Sequence, residues 1–507
     1  MSFGFNTRSI HAGQSTDPAT GAVVPPIYLS TTFEQAAAGE PLAGYEYSRV
    51  SNPTRTALQE NLASLEGGAV AFSFASGLAA EDAFFRTVLR PGDHVVLGDD
   101  AYGGSYRYIA EVLGPWGITH SAVDLSDLTQ VEQVVRATNP KVVRIETPSN
   151  PMMMIADVQA VTKIAHDNGA LSLVDNTFAT PALMQPLALG ADVVLHSTTK
   201  YLGGHSDVIG GALVLNDLDL AERLGQAQNW VGAISSPFDC YLTLRGIKTL
   251  GLRMERHSSN AQILAEAVVG HKAVEKVLYP GLPTHDGHAV AAAQMEHFGG
   301  MMSVQLMGGE DACQRLMKAC SVFTLAPSLG GVESLIEHPG LMTHHSVEGT
   351  ALEVPSNLVR ISVGIEDIDD LVADLLQALY GRNGESPVAV VAPRSPSDCF
   401  DVAVEAARIA IHYHTPVMIL SDGAIANGSE PWQIPDVTAY APIEHVYAMW
   451  TDPGHLAQWM PPTGATMRFL RAEPLVGGAS FYAMTMANGA VMHGRVRYLV
   501  LERPNRI

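Results

Sequence analysis

Between Ala69 and Leu213 short apolar runs take turns with stretches of helical periodicity, and this alternation constrains the chain more than any other feature. His94 to Leu97, Val142 to Ile145, Leu171 to Val174 and Asp192 to Leu195 are rich in β-branched residues or Leu, with helical stretches between them. Gly77 to Leu89 has the helical period, with Phe84, Phe85, Val88 and Leu89 on one side. Strands without polar alternation are buried on both faces, so the pattern predicts βαβ units and a parallel sheet covered by helices. A long helical region is predicted from about Leu242 to Val269, then a mixed α/β segment ending near Tyr380.

The 507 residues exceed what one core organises, so more than one domain is expected. Apolar residues reach 47% and charged ones only 16%, the balance of a well-buried globular enzyme. A formal charge of −22 without any Lys/Arg-rich run argues against nucleic acid as a partner. No stretch has membrane-spanning length and Met1 to His11 carries no apolar core of a signal peptide. Cys240, Cys313, Cys320 and Cys399 lack C-x-x-C spacing and read as reduced thiols of a cytoplasmic protein.

In open α/β sheets ligands bind at the carboxyl edge of the strands. Here three strands run out into polar residues: Glu146-Thr147-Pro148-Ser149-Asn150-Pro151, Asp175-Asn176-Thr177 and His196-Ser197-Thr198-Thr199-Lys200. That set meets the needs of pyridoxal 5'-phosphate. Lys200 can form the imine, favoured where burial or nearby cations depress its pKa. Asp175 can pair with the pyridinium nitrogen so that the ring draws electrons. Tyr102 can stack on the ring, the helix entry at Ser76-Gly77 can hold the phosphate on backbone amides, and Ser197 and Thr199 can add hydroxyls. Each alone has an ordinary explanation as a cap, a turn or a surface charge; their joint occurrence in this order is what carries the reading. The rival S-x-x-K serine motif, Ser197 to Lys200, lacks a K-[ST]-G partner and would open a helix rather than follow a strand. His285-x-x-His288, His344-His345 and His412-x-His414 lack carboxylate or thiolate partners at ligand spacing, so no metal is expected.

Tyr47-Ser48-Arg49-Val50-Ser51-Asn52-Pro53-Thr54, Ser76-Gly77, Asp99-Asp100-Ala101-Tyr102-Gly103-Gly104, Val174-Asp175-Asn176-Thr177 and His196-Ser197-Thr198-Thr199-Lys200-Tyr201 resemble the signature blocks of the Cys/Met-metabolism PLP-dependent enzymes. Ser328 to Leu335 and Val359 to Glu366 continue the likeness, which spans residues 6 to about 380. It implies an α/β protein of PLP-dependent transferase fold type I (aminotransferase-like) with a smaller α/β C-terminal domain. It divides the enzyme into an N-terminal arm with dimer contacts (1–60), a PLP-binding large domain (61–255) and a small domain (256–383). It further implies a homotetramer, a dimer of dimers, in which Tyr47 and Arg49 reach the neighbouring subunit's phosphate.

By the same resemblance Lys200 and Tyr102 are catalytic. Tyr47, Arg49, Ser76, Gly77, Leu78, Tyr102, Asp175, Thr177, Ser197, Thr199 and Lys200 hold the cofactor, and Glu46, Ser328 and Arg360 meet an amino-acid substrate. Leu78 replaces the Met common after Ser-Gly, a change of little consequence if the contact is a backbone amide. Gly104 stands where relatives that cleave methionine carry Cys. Together with Gly204-His205-Ser206-Asp207 and Ser334-Leu335-Ile336-Glu337-His338-Pro339 it points to γ-replacement, joining an O-acyl-homoserine to cysteine. Cleavage of cystathionine is the alternative, because Glu337 also occurs in that branch.

A linker-like run, Gly381-Arg382-Asn383-Gly384-Glu385-Ser386-Pro387, closes the enzyme, and a second break falls near Pro435-Asp436. Residues 384–436, with Ser395-Pro396-Ser397-Asp398-Cys399-Phe400 and Leu420-Ser421-Asp422-Gly423, resemble a small piece of the α subunit of 2-oxoacid:ferredoxin oxidoreductases. Residues 437–507, with Ala441-Pro442-Ile443-Glu444 and Trp450-Thr451-Asp452-Pro453, resemble part of an SRPBCC/START-like (AHSA1-type) domain. Two incomplete α/β-type fragments are therefore expected, with an open sheet edge. Removing residues 385–507 is expected to leave activity and oligomeric state unchanged; loss of either, in rate assays and light scattering, would assign the tail a role.

Overall fold

The structure is a computed structural model, and it describes residues 3–343, 353–380, 389–413, 417–419, 466–471, 479–486, 489 and 491–497. The chain divides into two compact units, Met1–Ser386 and Pro387–Ile507.

In the first unit seven strands make one sheet, in the order Val70–Phe74, Gly211–Leu215, Val193–Ser197, Leu171–Asp175, Val142–Glu146, His94–Gly98, Thr119–Val123. All are parallel except Gly211–Leu215, which runs antiparallel to both neighbours. Period-two geometry sends alternate residues of each strand into two separate cores. Val96, Val143, Ile145, Val174 and Val194 enter one core, with Leu58 and Leu62 of the helix Pro53–Glu66. Val95, Leu97, Val142, Leu173, Val193 and Leu195 enter the other, under Phe84 and Phe85 of the helix Gly77–Val88. Both faces are covered, which is why these strands read as largely apolar runs, interrupted by Arg144 and Ser172.

The structure moves one strand and divides one helix. The run expected at Asp192–Leu195 forms the strand Val193–Ser197, because Asp192 is spent before it: its carboxylate accepts from the Ser172 amide (2.7 Å) and hydroxyl (2.8 Å). The single helical region expected over 242–269 is two helices, Pro237–Ile247 and Leu250–Val268. Arg253 of the second donates to the Gly246 carbonyl (2.8 Å) at the end of the first and to the Tyr201 carbonyl (2.7 Å). The first helix approaches the turn after Lys200 so closely that a Cβ on Gly246 would lie 2.1 Å from the Gly203 carbonyl.

A five-stranded sheet builds the smaller part, in the order Val274–Leu278, Met301–Leu306, Leu358–Ser362, Leu335–Glu337, Thr324–Leu325. Val359 and Ile361 enter its own core with Leu371 and Leu375 of the helix Ile368–Tyr380. Alternation therefore sends Arg360 the other way, the direction of Leu358, which packs in the core shared with the large sheet.

In the second unit Ala389–Val391 pairs in parallel with Val417–Ile419, with the helix Cys399–Tyr413 between them in sequence. A three-stranded antiparallel sheet is formed by Thr466–Arg471, Ala479–Thr485 and Val491–Arg497. The linker run, Leu420 to Gly423, Pro435-Asp436, Ala441 to Glu444, Trp450 to Pro453, the pair His344-His345 and His414 lie outside the described residues.

Candidate active site

Three neighbouring parallel strands end side by side, and their last residues open one cavity of about 370 Å³. Ser76, Gly77, Leu78, Tyr102, Asp175, Thr177, Ser197, Thr199, Lys200, Ser328 and Arg360, all expected at the site, line it. Ser197 is the last residue of its strand and opens no helix, which removes the geometry an S-x-x-K serine would need.

Lys200 follows that strand in a tight turn, and its Nζ donates to Ser328 Oγ at 2.7 Å. Burial, reinforced by the Arg360 charge and opposed by Glu337, pulls its pKa down to about 8. A lysine so placed is a usable nucleophile and proton carrier near neutrality. Ser328 has φ of +97°, a costly conformation for a side chain other than glycine, and such strain collects at functional sites.

Across the cavity Arg360 Nη1 donates to Asn150 Oδ1 (2.9 Å), and Nη2 donates to the Ser328 carbonyl (2.7 Å) and pairs with Glu337 (3.0 Å). Arg360 Nε is a buried donor with no partner among the described residues, as suits a guanidinium awaiting a carboxylate. Tyr102 has its amide fixed by Glu146 Oε2 (3.0 Å), and burial raises its phenol so that it keeps its proton at neutral pH. Gly104 lets the Tyr102 ring lie close by, since a Cβ there would fall 2.4 Å from that ring and displace it.

These residues fit pyridoxal phosphate. The Gly77 and Leu78 amides begin the helix Gly77–Val88, where no preceding turn supplies acceptors. Ser76 Oγ accepts from the Ala79 amide (3.0 Å), so its own O–H remains to donate to an anion beside the backbone amides and Ser197. A Cβ on Gly77 would lie 3.1 Å from the Ser197 side chain, so glycine keeps this cradle open. Thr199 Oγ1 donates to the Gly210 carbonyl (3.2 Å) and accepts from the Gly210 amide (3.1 Å), so its hydroxyl also shapes the turn. Asp175 stands at the end of its strand, with Oδ1 accepting from the Thr177 amide (3.1 Å).

Three expected residues are not brought to this cavity. Glu46, Tyr47 and Arg49 lie on the arm, where Tyr47 is 41% exposed. Arg49 packs over the Tyr47 ring and donates to the Asn229 carbonyl (2.6 Å) and side-chain oxygen (2.7 Å). Sequence reasoning in turn missed Glu81, Ser105 and Arg144. Glu81 and Ser105 line the cavity, and Arg144 lies behind it bonded to both. The available signal was a lone arginine inside a strand whose five residues are all buried.

A parallel-sheet protein that brings a depressed-pKa lysine, a carboxylate, a tyrosine and a helix N-terminus to one crevice is a fold-type I pyridoxal-phosphate enzyme. The chain belongs to the Cys/Met metabolism PLP-dependent enzyme family, which matches residues 6–380, and its cofactor is pyridoxal phosphate. It is 57% identical over 373 residues to a cystathionine gamma-synthase of Mycobacterium tuberculosis, covering 74% of this chain and 96% of the relative. It is 50% identical to a cystathionine beta-lyase of Lactococcus lactis over 376 residues, 74% of this chain and 98% of the relative. The solved structure of cystathionine gamma-lyase from Lactobacillus plantarum, complexed with L-serine, superposes with a TM-score of 0.72 at 44% identity, covering 75% and 99%. Beyond the enzyme, residues 367–472 match the thiamine-diphosphate-binding family of pyruvate flavodoxin/ferredoxin oxidoreductases, and 440–507 match the activator of Hsp90 ATPase homolog 1-like family. No helix among the described residues is long and apolar enough to cross a membrane.

Because Lys200 must lose a proton to react, capture of pyridoxal phosphate by the cofactor-free protein is expected to accelerate about tenfold per pH unit and level off above a pH of about 8. Stopped-flow absorbance checks this; a plateau first reached near the ordinary lysine value of 10.5 would refute the effect of burial.

Proposed function

We propose that the enzyme joins an O-acyl-homoserine to cysteine by replacement at Cγ, forming cystathionine and releasing the carboxylic acid. The observation that carries this is the 57% identity over 96% of a relative named for that activity, with Lys200, Tyr102, Asp175 and Arg360 gathered in one cavity. Bound pyridoxal phosphate supplies an electron sink for charge left when a proton leaves the carbon bearing the amino group.

The chain's own residues supply the rest. Arg360, its Nε unsatisfied and its fork steadied by Asn150 and Glu337, binds the substrate α-carboxylate. Lys200 takes the proton from Cα and shuttles protons to and from Cβ, held in line by the Ser328 hydroxyl. Its depressed pKa leaves a useful share of free amine near neutral pH. Tyr102, kept as a phenol by burial, lines the cavity where it would hold the cofactor ring and could supply a proton. The carboxylate then leaves from Cγ with its bonding pair, and the cysteine sulfur forms the new bond there as its thiol proton passes to solvent, which balances the released acid. Glu46, outside its own chain's cavity, meets the amino group of the sulfur substrate in the cavity of a neighbouring subunit.

Cleavage of cystathionine to cysteine, 2-oxobutanoate and ammonia is the second reading. The likeness to a gamma-lyase favours it, and Glu337, paired with Arg360 at 3.0 Å, also occurs in that branch. Side-by-side assays decide: cystathionine formation from succinyl-, acetyl- or phospho-homoserine plus cysteine is expected to exceed cystathionine cleavage at least about tenfold, roughly 1.4 kcal/mol in barrier. Cleavage outrunning formation with all three donors would replace the first reading by the second.

We further propose that Tyr47 and Arg49 serve the phosphate of a neighbouring subunit in a homotetramer, since in their own chain they stand outside the cavity and are exposed. Mixing inactive Arg49→Ala and Lys200→Ala proteins in equal amounts is expected to restore about a quarter of native activity, as half of the dimers are mixed and each of those regains both groups at one of its two sites. A mixture as inactive as its parents, with subunit exchange verified by mass, would reject sharing.

A further inference from the structure

A second charged centre lies directly behind the cavity. Arg144 sits mid-strand with no exposed surface, and strand parity turns it, with Val142, toward the helix Gly77–Val88. Its guanidinium is bonded from four separate segments. Nε donates to Glu81 Oε1 (2.6 Å), Nη1 to Glu146 Oε2 (2.8 Å), and Nη2 to Ser105 Oγ (2.9 Å) and Asp175 Oδ2 (3.0 Å). Ser105 in turn donates to Glu81 Oε2 (2.7 Å), closing a ring.

One cation is therefore divided among three carboxylates, and its share to each depends on the other two. The carboxylates hold Arg144 above the ordinary arginine value despite burial, so it does not lose its charge. Glu146 is pushed up by burial to about 7, and the neighbouring Asp100, bonded to Ser149, also to about 7. Glu146 reaches onward, accepting from the Tyr102 amide (3.0 Å) and the Asn150 amide (3.2 Å), and Asn150 holds Arg360.

We infer that Arg144 is a positioning residue that sets, by competition between Glu81 and Asp175 for its guanidinium, how much negative charge Asp175 presents to the cofactor's ring nitrogen. Glu81 is the counterweight. Strengthening its hold on Arg144 frees Asp175 to keep the ring proton, and weakening it gives more of the guanidinium to Asp175 and lets the ring proton go. Burial of Arg144 and Glu81 lowers the dielectric around the cluster and makes the competition steep. A guanidinium can serve several planar acceptors at once, which an ammonium cannot do in this geometry.

This inference rests on Asp175 facing the ring nitrogen, and the experiment separates the two. The holoenzyme is loaded with pyridoxal phosphate labelled with ¹⁵N in the ring, and the ring shift is measured at fixed pH for native and variant proteins. Glu81→Gln keeps the shape and is expected to move the shift toward the free-base value. Arg144→Leu combined with Glu81→Leu replaces the pair by apolar volume and is expected to move it toward the protonated value. Opposite signs are the signature, since general loosening of the site would move both the same way. Shifts unchanged in both variants, or moved in one direction, overturn the role of Arg144. Should the double variant fail to fold, Glu81→Gln alone decides by the presence and sign of its shift. A ring shift untouched by Asp175→Asn overturns the placement of Asp175 and the inference with it.

Discussion

A sheet buried on both faces allows polar side chains at its ends, and the rest of this enzyme follows from that restriction. Six parallel strands and their covering helices leave the carboxyl edge as the place where Asp175, Ser197 and Lys200 can meet a ligand without leaving polar atoms in hydrocarbon. The five-stranded sheet completes the site by the same rule. Alternation along Leu358–Ser362 buries Val359 and Ile361 in one core and so commits Arg360 to the cavity.

Arg144 is the exception to that restriction, and its cost explains its bonding. A guanidinium in a dry sheet is tolerable only when several of its donors are satisfied and its charge is matched. Its acceptors are drawn from the helix that begins the phosphate cradle, the segment after Tyr102, its own strand and the strand of Asp175. The same bonds that make the charge tolerable tie cavity-lining residues into one frame. Lys200 shows the opposite solution to burial: it has a hydroxyl partner rather than a close carboxylate, so its pKa falls and the amine becomes reactive.

Much of the site was legible because local sequence places residues at strand ends. Asp175 and Lys200 each follow an apolar run, and the Ser76-Gly77 helix entry carries its own cap. Other features were hidden because their causes are distant in sequence. The division of the helical region at Lys248-Thr249 follows from Arg253 bonding carbonyls of Gly246 and Tyr201, and periodicity does not record such contacts. Asp192 read as part of its strand until its carboxylate was seen to hold Ser172 on the neighbouring one. Glu81 looked like any polar residue of an amphipathic helix, yet it is buried against Arg144.

Sequence by itself determined the alternating fold, the cofactor and the residues at the strand ends, since periods of two and 3.6 and residues within a few positions of a strand terminus are local properties. Tertiary structure alone decided which buried charges share partners. Arg144 meets Glu81, Ser105 and Asp175 across 63, 39 and 31 positions, and such pairings arise from the order of strands in the sheet. It likewise left Glu46, Tyr47 and Arg49 outside their own chain's cavity, because the arm that carries them runs over the surface instead of through the sheet.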